Sequence, residues 1–398
     1  MRFLPKVLGF LVVMLLVSPI ATASAADFAS TSFKNLWQYT DYAVQKGVAD
    51  YSWIWGPNAF TPGLGEWYVD SPGQHRTVQY FDKARMEIND PNASQNSPWY
   101  VTNGLLVREM ITGDIQVGNS KFIHFTPNRI PVAGDADNAF PTYTDLQRIY
   151  NKPAGRHLGQ YVTQRLTPNG VDNLYQYANT PATFIIQLEK NYGIPRIFWD
   201  FLHREGLVYQ NGTFIYAHPI FNWLYVFGYP ITDAYWTTIK VGKIQRNVLV
   251  QAFERRVLTY TPSNPAQYQV EMGNVGMHYY QWRYVNMFAG NQQLILSSPI
   301  EGAQVRSPLL VQGFESGKAF EANLVIRLQT VGGTVLAQQS TLVQRPDVGV
   351  PGPWETTLNY TAPPLTTNGR LTVFVLAPRD GSEIVLRSIN VVITGAAS

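Results

Sequence analysis

The amino-acid sequence predicts a multidomain protein: an α+β N-terminal region of two related aromatic units, followed by an all-β immunoglobulin-like sandwich. Three observations predict it. Nine of the ten tryptophans lie before residue 290 and only Trp354 lies after it. From Leu294 onward the chain reads as short alternating strands with no helical period. Before that point, a set of residue types recurs at an offset of about 172 positions.

Residues 1–25 read as a signal peptide. Arg2 and Lys6 supply a positive start, Val7 to Val17 is an apolar run, and Pro19 breaks it. Ala21-Thr22-Ala23 and Ala23-Ser24-Ala25 then offer small-x-small cleavage sites. The run is short of the roughly 20 residues a bilayer span needs. Cleavage near Ala26 is therefore expected, with no transmembrane anchor afterwards and a secreted or cell-surface location. The chain has no cysteine. That excludes disulfides, thiolate metal sites and cysteine nucleophiles, and points to a prokaryotic exporter.

The first aromatic unit is expected over residues 26–112 and the second over 195–290. Trp53-Ile54-Trp55-Gly56-Pro57 precedes Val78-Gln79-Tyr80-Phe81-Asp82-Lys83-Ala84-Arg85 in the first. Phe227-Gly228-Tyr229-Pro230 precedes Val250-Gln251-Ala252-Phe253-Glu254-Arg255-Arg256 in the second. Each copy continues through an Asn/Pro turn, Asp90-Pro91-Asn92 or Ser263-Asn264-Pro265, into a Gly-containing apolar stretch. Each is preceded by an aromatic amphipathic segment, Phe33 to Val44 or Ile197 to His203. The Asp82 and Glu254 regions read as solvated charge clusters at strand ends. Residues 113–194 read as an irregular connection, with a helix near Thr144 to Tyr150.

The sandwich is expected over residues 291–398. Its strands are Leu309 to Val311, Ala322 to Leu328, Val335 to Ala337, Trp354 to Tyr360, Leu371 to Leu376 and Ile389 to Ile393. Leu324, Ile326 and Leu328 share one face, as period-2 alternation requires. Val331-Gly332-Gly333-Thr334 predicts a two-residue hairpin loop with both glycines at positive φ.

Two resemblances attach to these segments. Ser298-Pro299-Ile300-Glu301-Gly302, Ser307-Pro308-Leu309-Leu310-Val311, Gly352-Pro353-Trp354-Glu355 and Ala377-Pro378-Arg379-Asp380-Gly381 follow in order. Residues 296–395 thereby resemble the bacterial spore-germination-associated immunoglobulin-like domain, which implies a fold and an envelope-facing setting but no catalytic residue. The Phe-Gly-Tyr-Pro turn and Gln-x-Phe-Glu-Arg strand at residues 195–285 resemble repeat units of exported Chloroflexota proteins. More distantly they resemble the LGFP repeats of actinobacterial envelope proteins. The first copy departs at the turn, with Trp-Gly-Pro. This resemblance implies association with an envelope or extracellular matrix.

The formal charge is +3 and falls near +1 once Arg2 and Lys6 are removed. Charged residues make up 14% of the chain, against about 25% in ordinary domains. No clustered basic surface for nucleic acid is expected. The six histidines form no zinc-helix spacing, and no nucleophile elbow or phosphate loop occurs. Asp135-Ala136-Asp137-Asn138 alternates oxygen ligands but lacks the rest of a calcium loop, so it reads as a turn. No catalytic residue, metal or cofactor is expected.

Glycoside hydrolysis would need two facing carboxylates; Glu66, Asp70, Asp82 and Glu87 are the residues available in the first unit. Ligand-binding aromatics are sought at Trp53, Trp55, Trp67, Tyr229 and Trp236, whose rings could stack on sugars or equally fill each unit's core. The leading expectation is an exported, non-catalytic protein that binds a cell-envelope polymer or a protein partner. A glycan-directed hydrolase and a structural surface-layer component are the alternatives.

Overall fold

The computed structural model describes residues 26–396 apart from 318, 320, 321, 346–348 and 350. The expected signal peptide lies outside the described residues. Five α-helices occur among them: α1 (Thr31–Gln45), α2 (Leu106–Thr112), α3 (Arg196–Leu202), α4 (Trp223–Phe227) and α5 (Val275–Tyr280). The rest is mostly β-structure.

The longest helix, α1, shows why an aromatic segment becomes helical here. The Ser30 hydroxyl caps its start by accepting from Phe33 N at 3.1 Å. Phe33, Trp37, Thr40 and Asp41 then fall on one buried face at helical spacing. Two antiparallel meanders follow it in the chain. The first pairs Leu64–Trp67, His75–Phe81, Ala84–Ile88 and Thr102–Asn103 in chain order. The second pairs Tyr235–Val241, Ile244–Ala252, Val257–Tyr260 and Val270–Met272 in the same sequence of neighbours. α2 follows the first meander and α5 the second.

Local bonds match between the meanders. Gln79 Nε2 donates to Thr61 O at 2.9 Å, and Gln251 Nε2 donates to Thr232 O at 3.1 Å. Thr61 Oγ1 accepts from Tyr80 N and Thr232 Oγ1 from Ala252 N, each at 3.1 Å. Lys83 N donates to Trp55 O, and Arg255 N donates to Phe227 O.

Bonds across the meanders are reciprocal. Arg108 N of α2 donates to Glu254 O, and Met277 N of α5 donates to Asp82 O, each at 3.2 Å. Lys83 Nζ donates to Met272 O and Arg255 Nε to Asn103 O. α5 approaches the first hairpin so closely that a Cβ on Gly276 would stand 1.9 Å from Phe81 O. The Asp82 and Glu254 turns are therefore contacts between the halves, contrary to the solvated clusters expected from their charges. Each charged turn is covered by the helix that follows the other meander.

The segment 113–194 has more order than its composition predicts. Gln164–Thr167 and Gly170–Asn173 extend the second sheet, where Arg165 pairs with Trp236 in parallel. The helix expected near Thr144 to Tyr150 is a 3₁₀ turn at Asp145–Arg148. Asp135 accepts from Gly242 N and Lys243 N, so the acidic turn fastens the Tyr235–Val241/Ile244–Ala252 hairpin.

The C-terminal sandwich has sheets of three and five strands. One runs Leu294–Ser298, Leu309–Glu315, Gly352–Leu358 and the other Gln304–Val305, Glu383–Ile393, Thr367–Leu376, Asn323–Thr330, Val335–Leu342. Leu324, Ile326 and Leu328 are buried together around Trp354, as the alternation predicted. The hairpin loop differs from expectation. Thr330 N bonds Thr334 O and Gly333 N bonds Thr330 O, giving a three-residue loop over 331–333 in which Gly333 alone of the two glycines has positive φ. A one-residue register shift between Leu328 and Gln329 accounts for the extra loop residue. Phe314 of the sandwich meets Phe125 of the N-terminal region with ring centroids 6.2 Å apart, and Lys121 pairs with Glu355.

Candidate ligand-binding site

The five aromatics sought from sequence fall into two groups. Trp55, Trp67 and Trp236 are buried and present no face to a ligand. Arg256 lies 5.4 Å from the Trp55 ring centre, Lys121 Nζ lies 5.1 Å from that of Trp67, and Trp236 stacks on Tyr177 at 3.7 Å. They belong to the core because each sits on a strand or turn covered by another part of the chain. Trp53 and Tyr229 are half-buried. Trp53 stacks on Trp37 at 6.4 Å, and Tyr229 carries the Lys190 ammonium 4.6 Å above its ring.

The carboxylates considered for hydrolysis are also placed. Glu66 and Glu87 are enclosed with Arg76, Arg85 and Arg283. Glu66 accepts from Arg76 and Arg283 at 3.0 Å and from the hydroxyls of Tyr80 and Tyr284 at 2.7 Å. Burial alone would raise its carboxyl, but Arg283, Arg85 and Arg76 hold it well below the usual range. Burial likewise opposes, and the same two arginines Arg76 and Arg85 outweigh, the effect on Glu87. Asp70 accepts from Asn119 N at the surface. Glu66 and Glu87 thus form a structural ion cluster and do not flank a cleft.

A polar cavity of about 290 Å³ lies beside the second meander, lined by Lys83, Asp135, Glu271, Asn274 and His278. Burial raises Glu271 and lowers Lys83. Burial, with a smaller push from Lys83, brings His278 down to about 4, and its Nδ1 bonds the Tyr143 hydroxyl at 3.0 Å. The unfolded chain protonates this imidazole near pH 6.5 and the folded chain does not. Its contribution is therefore complete above about pH 6.5 and is lost as pH falls toward 4, about 3 kcal/mol at most. Urea unfolding at pH 7 and 4.5 checks this: His278→Gln is expected to lose less stability on acidification than the parent protein. Equal losses would exclude the assignment.

The concave surface with the best-placed exposed ring lies elsewhere. A cleft of about 430 Å³ opens between the start of α1, the 89–101 loop and α4. Trp99 projects into it and is 61% exposed. The Tyr225 ring stands 5.9 Å away, tilted by 52°. Tyr225 is held in place because its hydroxyl donates to Val101 O at 2.6 Å and its amide donates to Asn222 Oδ1 at 3.2 Å. Leu36 contributes an apolar wall; Asn35, Gln95 and Asn222 contribute amides. Among the described residues, no hydrogen bond engages the side-chain amides of Asn35 and Gln95. The lining carries no charged side chain.

Sequence reasoning did not single out Trp99. A usable signal was present: Trp99 follows Asn-Asp-Pro-Asn-Ala-Ser-Gln-Asn-Ser-Pro, a stretch with no core periodicity to bury an indole.

No curated protein matches this chain. Among solved structures, CopC from Methylosinus trichosporium OB3b is 18% identical; the match covers 26% of this chain and 97% of that one, at a TM-score of 0.20. At that score it carries no functional argument. Residues 294–382 match the family described as the immunoglobulin-like domain of bacterial spore germination, a stretch that takes in the two-sheet C-terminal domain around Trp354 up to its last strand, Glu383–Ile393.

Proposed function

We propose that this is an exported, non-catalytic protein of a bacterial envelope or extracellular matrix that binds a glycan polymer. The observation that carries the reading is the Trp99 cleft. An exposed indole, a second ring held beside it and free amides around an uncharged floor suit the apolar faces and hydroxyls of a pyranose chain. The matching bonds of the two meanders support reading residues 26–112 and 195–290 as copies of one unit. The sandwich then serves as a docking or spacer module, and the N-terminal signal directs export.

Retention on immobilised cellulose, chitin, α-glucan and isolated peptidoglycan tests the reading. The mature chain is expected to be retained on at least one of them, with Trp99→Ala about tenfold weaker. Passage of the parent protein through every matrix would overturn the binding role. Intact precursor in the cytosol of native cells would overturn export.

A further inference from the structure

The two meanders place a second exposed aromatic at a position related to Trp99. Gly104 N donates to Arg85 O, and Gly273 N donates to Val257 O. Trp99 stands five residues before Gly104, and Tyr268 five residues before Gly273. Tyr268 is 52% exposed. It too lines a cleft, of about 510 Å³.

The opposite wall is related as well. Lys83 N donates to Trp55 O and Arg255 N to Phe227 O, so Trp53 and Tyr225 occupy corresponding places two residues earlier. In the first cleft, Trp99 of one half faces Tyr225 of the other. In the second, Tyr268 and Trp53 line the same space, again one from each half. Ser52 adds a hydroxyl, Gln267 an amide and Asp50 one carboxylate, while the buried Tyr51 hydroxyl is taken up by Thr40 O and Leu207 O. Both clefts touch α1, the first at Ser32 and the second at Val44. That separation is about 18 Å along the helix axis.

We infer that the cleft of Trp53 and Tyr268 is a second binding site for the same class of ligand, an uncharged glycan, so that each molecule holds two segments of a repeating polymer. This rests on the glycan reading of the Trp99 cleft. Two related sites on one chain are matched by a ligand that repeats, which a glycan does. The hydroxyls and amides around both ring pairs favour a polyol over a proline-rich peptide, which needs aromatic grooves but few such donors. Two sites also convert modest single-site affinity into avidity on a long strand.

Calorimetric titration of the mature chain with soluble hexasaccharides of β-glucose, α-glucose and β-N-acetylglucosamine tests the inference, with a proline decapeptide alongside. The expected result is two hexasaccharides per chain, and one in either Trp99→Ala or Tyr268→Ala. Both side chains are exposed, so each variant is expected to keep the parent's circular dichroism and melting temperature. The long polymer is expected to bind at least tenfold more tightly than the hexamer to the parent protein, and to lose that advantage in each variant. One site abolished by Trp99→Ala and untouched by Tyr268→Ala would overturn the second site and leave the first standing. One site lost in both variants would mean a single composite site and would overturn the inference. Binding of the decapeptide alone, or of no probe, would overturn the glycan reading itself.

Discussion

Glu66→Gln is expected to destabilise the protein by about 3–5 kcal/mol, the range for removing one member of a buried ion cluster. Glu66 is 2% exposed and accepts from two arginines and two tyrosines. Glutamine keeps one acceptor oxygen but turns an amide donor toward guanidinium groups. Glu87 and Glu109 would then face Arg76, Arg85 and Arg283, leaving a buried positive charge without a partner. The loss also spans the halves, because Arg283 follows α5 whereas Glu66 lies in the first meander. Denaturant unfolding at pH 7 measures the effect. A pH series adds a second readout. Glu66 titrates in the folded chain well below its unfolded value of about 4.3. Its contribution is present above that value and is lost as pH falls below it. The parent protein should therefore lose stability in acid more steeply than Glu66→Gln. A change under 1 kcal/mol at pH 7, with parallel acid profiles, would show that the cluster adds little net stability.

Asp41→Ala is expected to cost about 3 kcal/mol or more, because it strands several buried donors at once. Asp41 is fully buried on α1. Its carboxylate accepts from Ile54, Trp55 and Gly56 amides at 3.0–3.1 Å and from the Thr40 hydroxyl at 2.6 Å. Those three amides belong to the Trp-Ile-Trp-Gly turn, which Trp37 Nε1 also ties down through Gly56 O at 2.8 Å. The turn supplies Trp53 to the second cleft, so the variant is expected to loosen that cleft as well as the fold. Hydrogen exchange is the discriminating measurement: the amides of residues 54–56 should lose protection well beyond the global change. Unaltered local protection would show that the turn holds itself without Asp41.

Much of the sandwich was legible because its information is local. Alternation at Leu324, Ile326 and Leu328 fixes which side of the strand is buried, whatever lies beyond it. The loop at 331–334 was misjudged because a register shift two positions earlier, set by pairing with the partner strand, lengthened it. In the N-terminal region the residues that align across the halves, such as Gln79 with Gln251 and Phe81 with Phe253, were visible as a pattern. The reciprocal bonding between the meanders was not, since its partners, such as Arg108 with Glu254 and Asp82 with Met277, lie more than 140 positions apart in the chain.

The sequence by itself determined the strand alternation of the sandwich and the aromatic amphipathic segment Phe33 to Val44, which the structure holds within a helix at Thr31–Gln45, because each depends on near neighbours along the chain. Only the tertiary structure decided which aromatics are covered and which are open. Trp55 and Trp236 are buried because distant segments pack over them, whereas Trp99 and Tyr268 stay exposed on loops that line open clefts. It likewise decided that Glu66, Arg76, Arg85 and Arg283 neutralise one another inside the protein, since burial of a charge depends on partners brought together by folding.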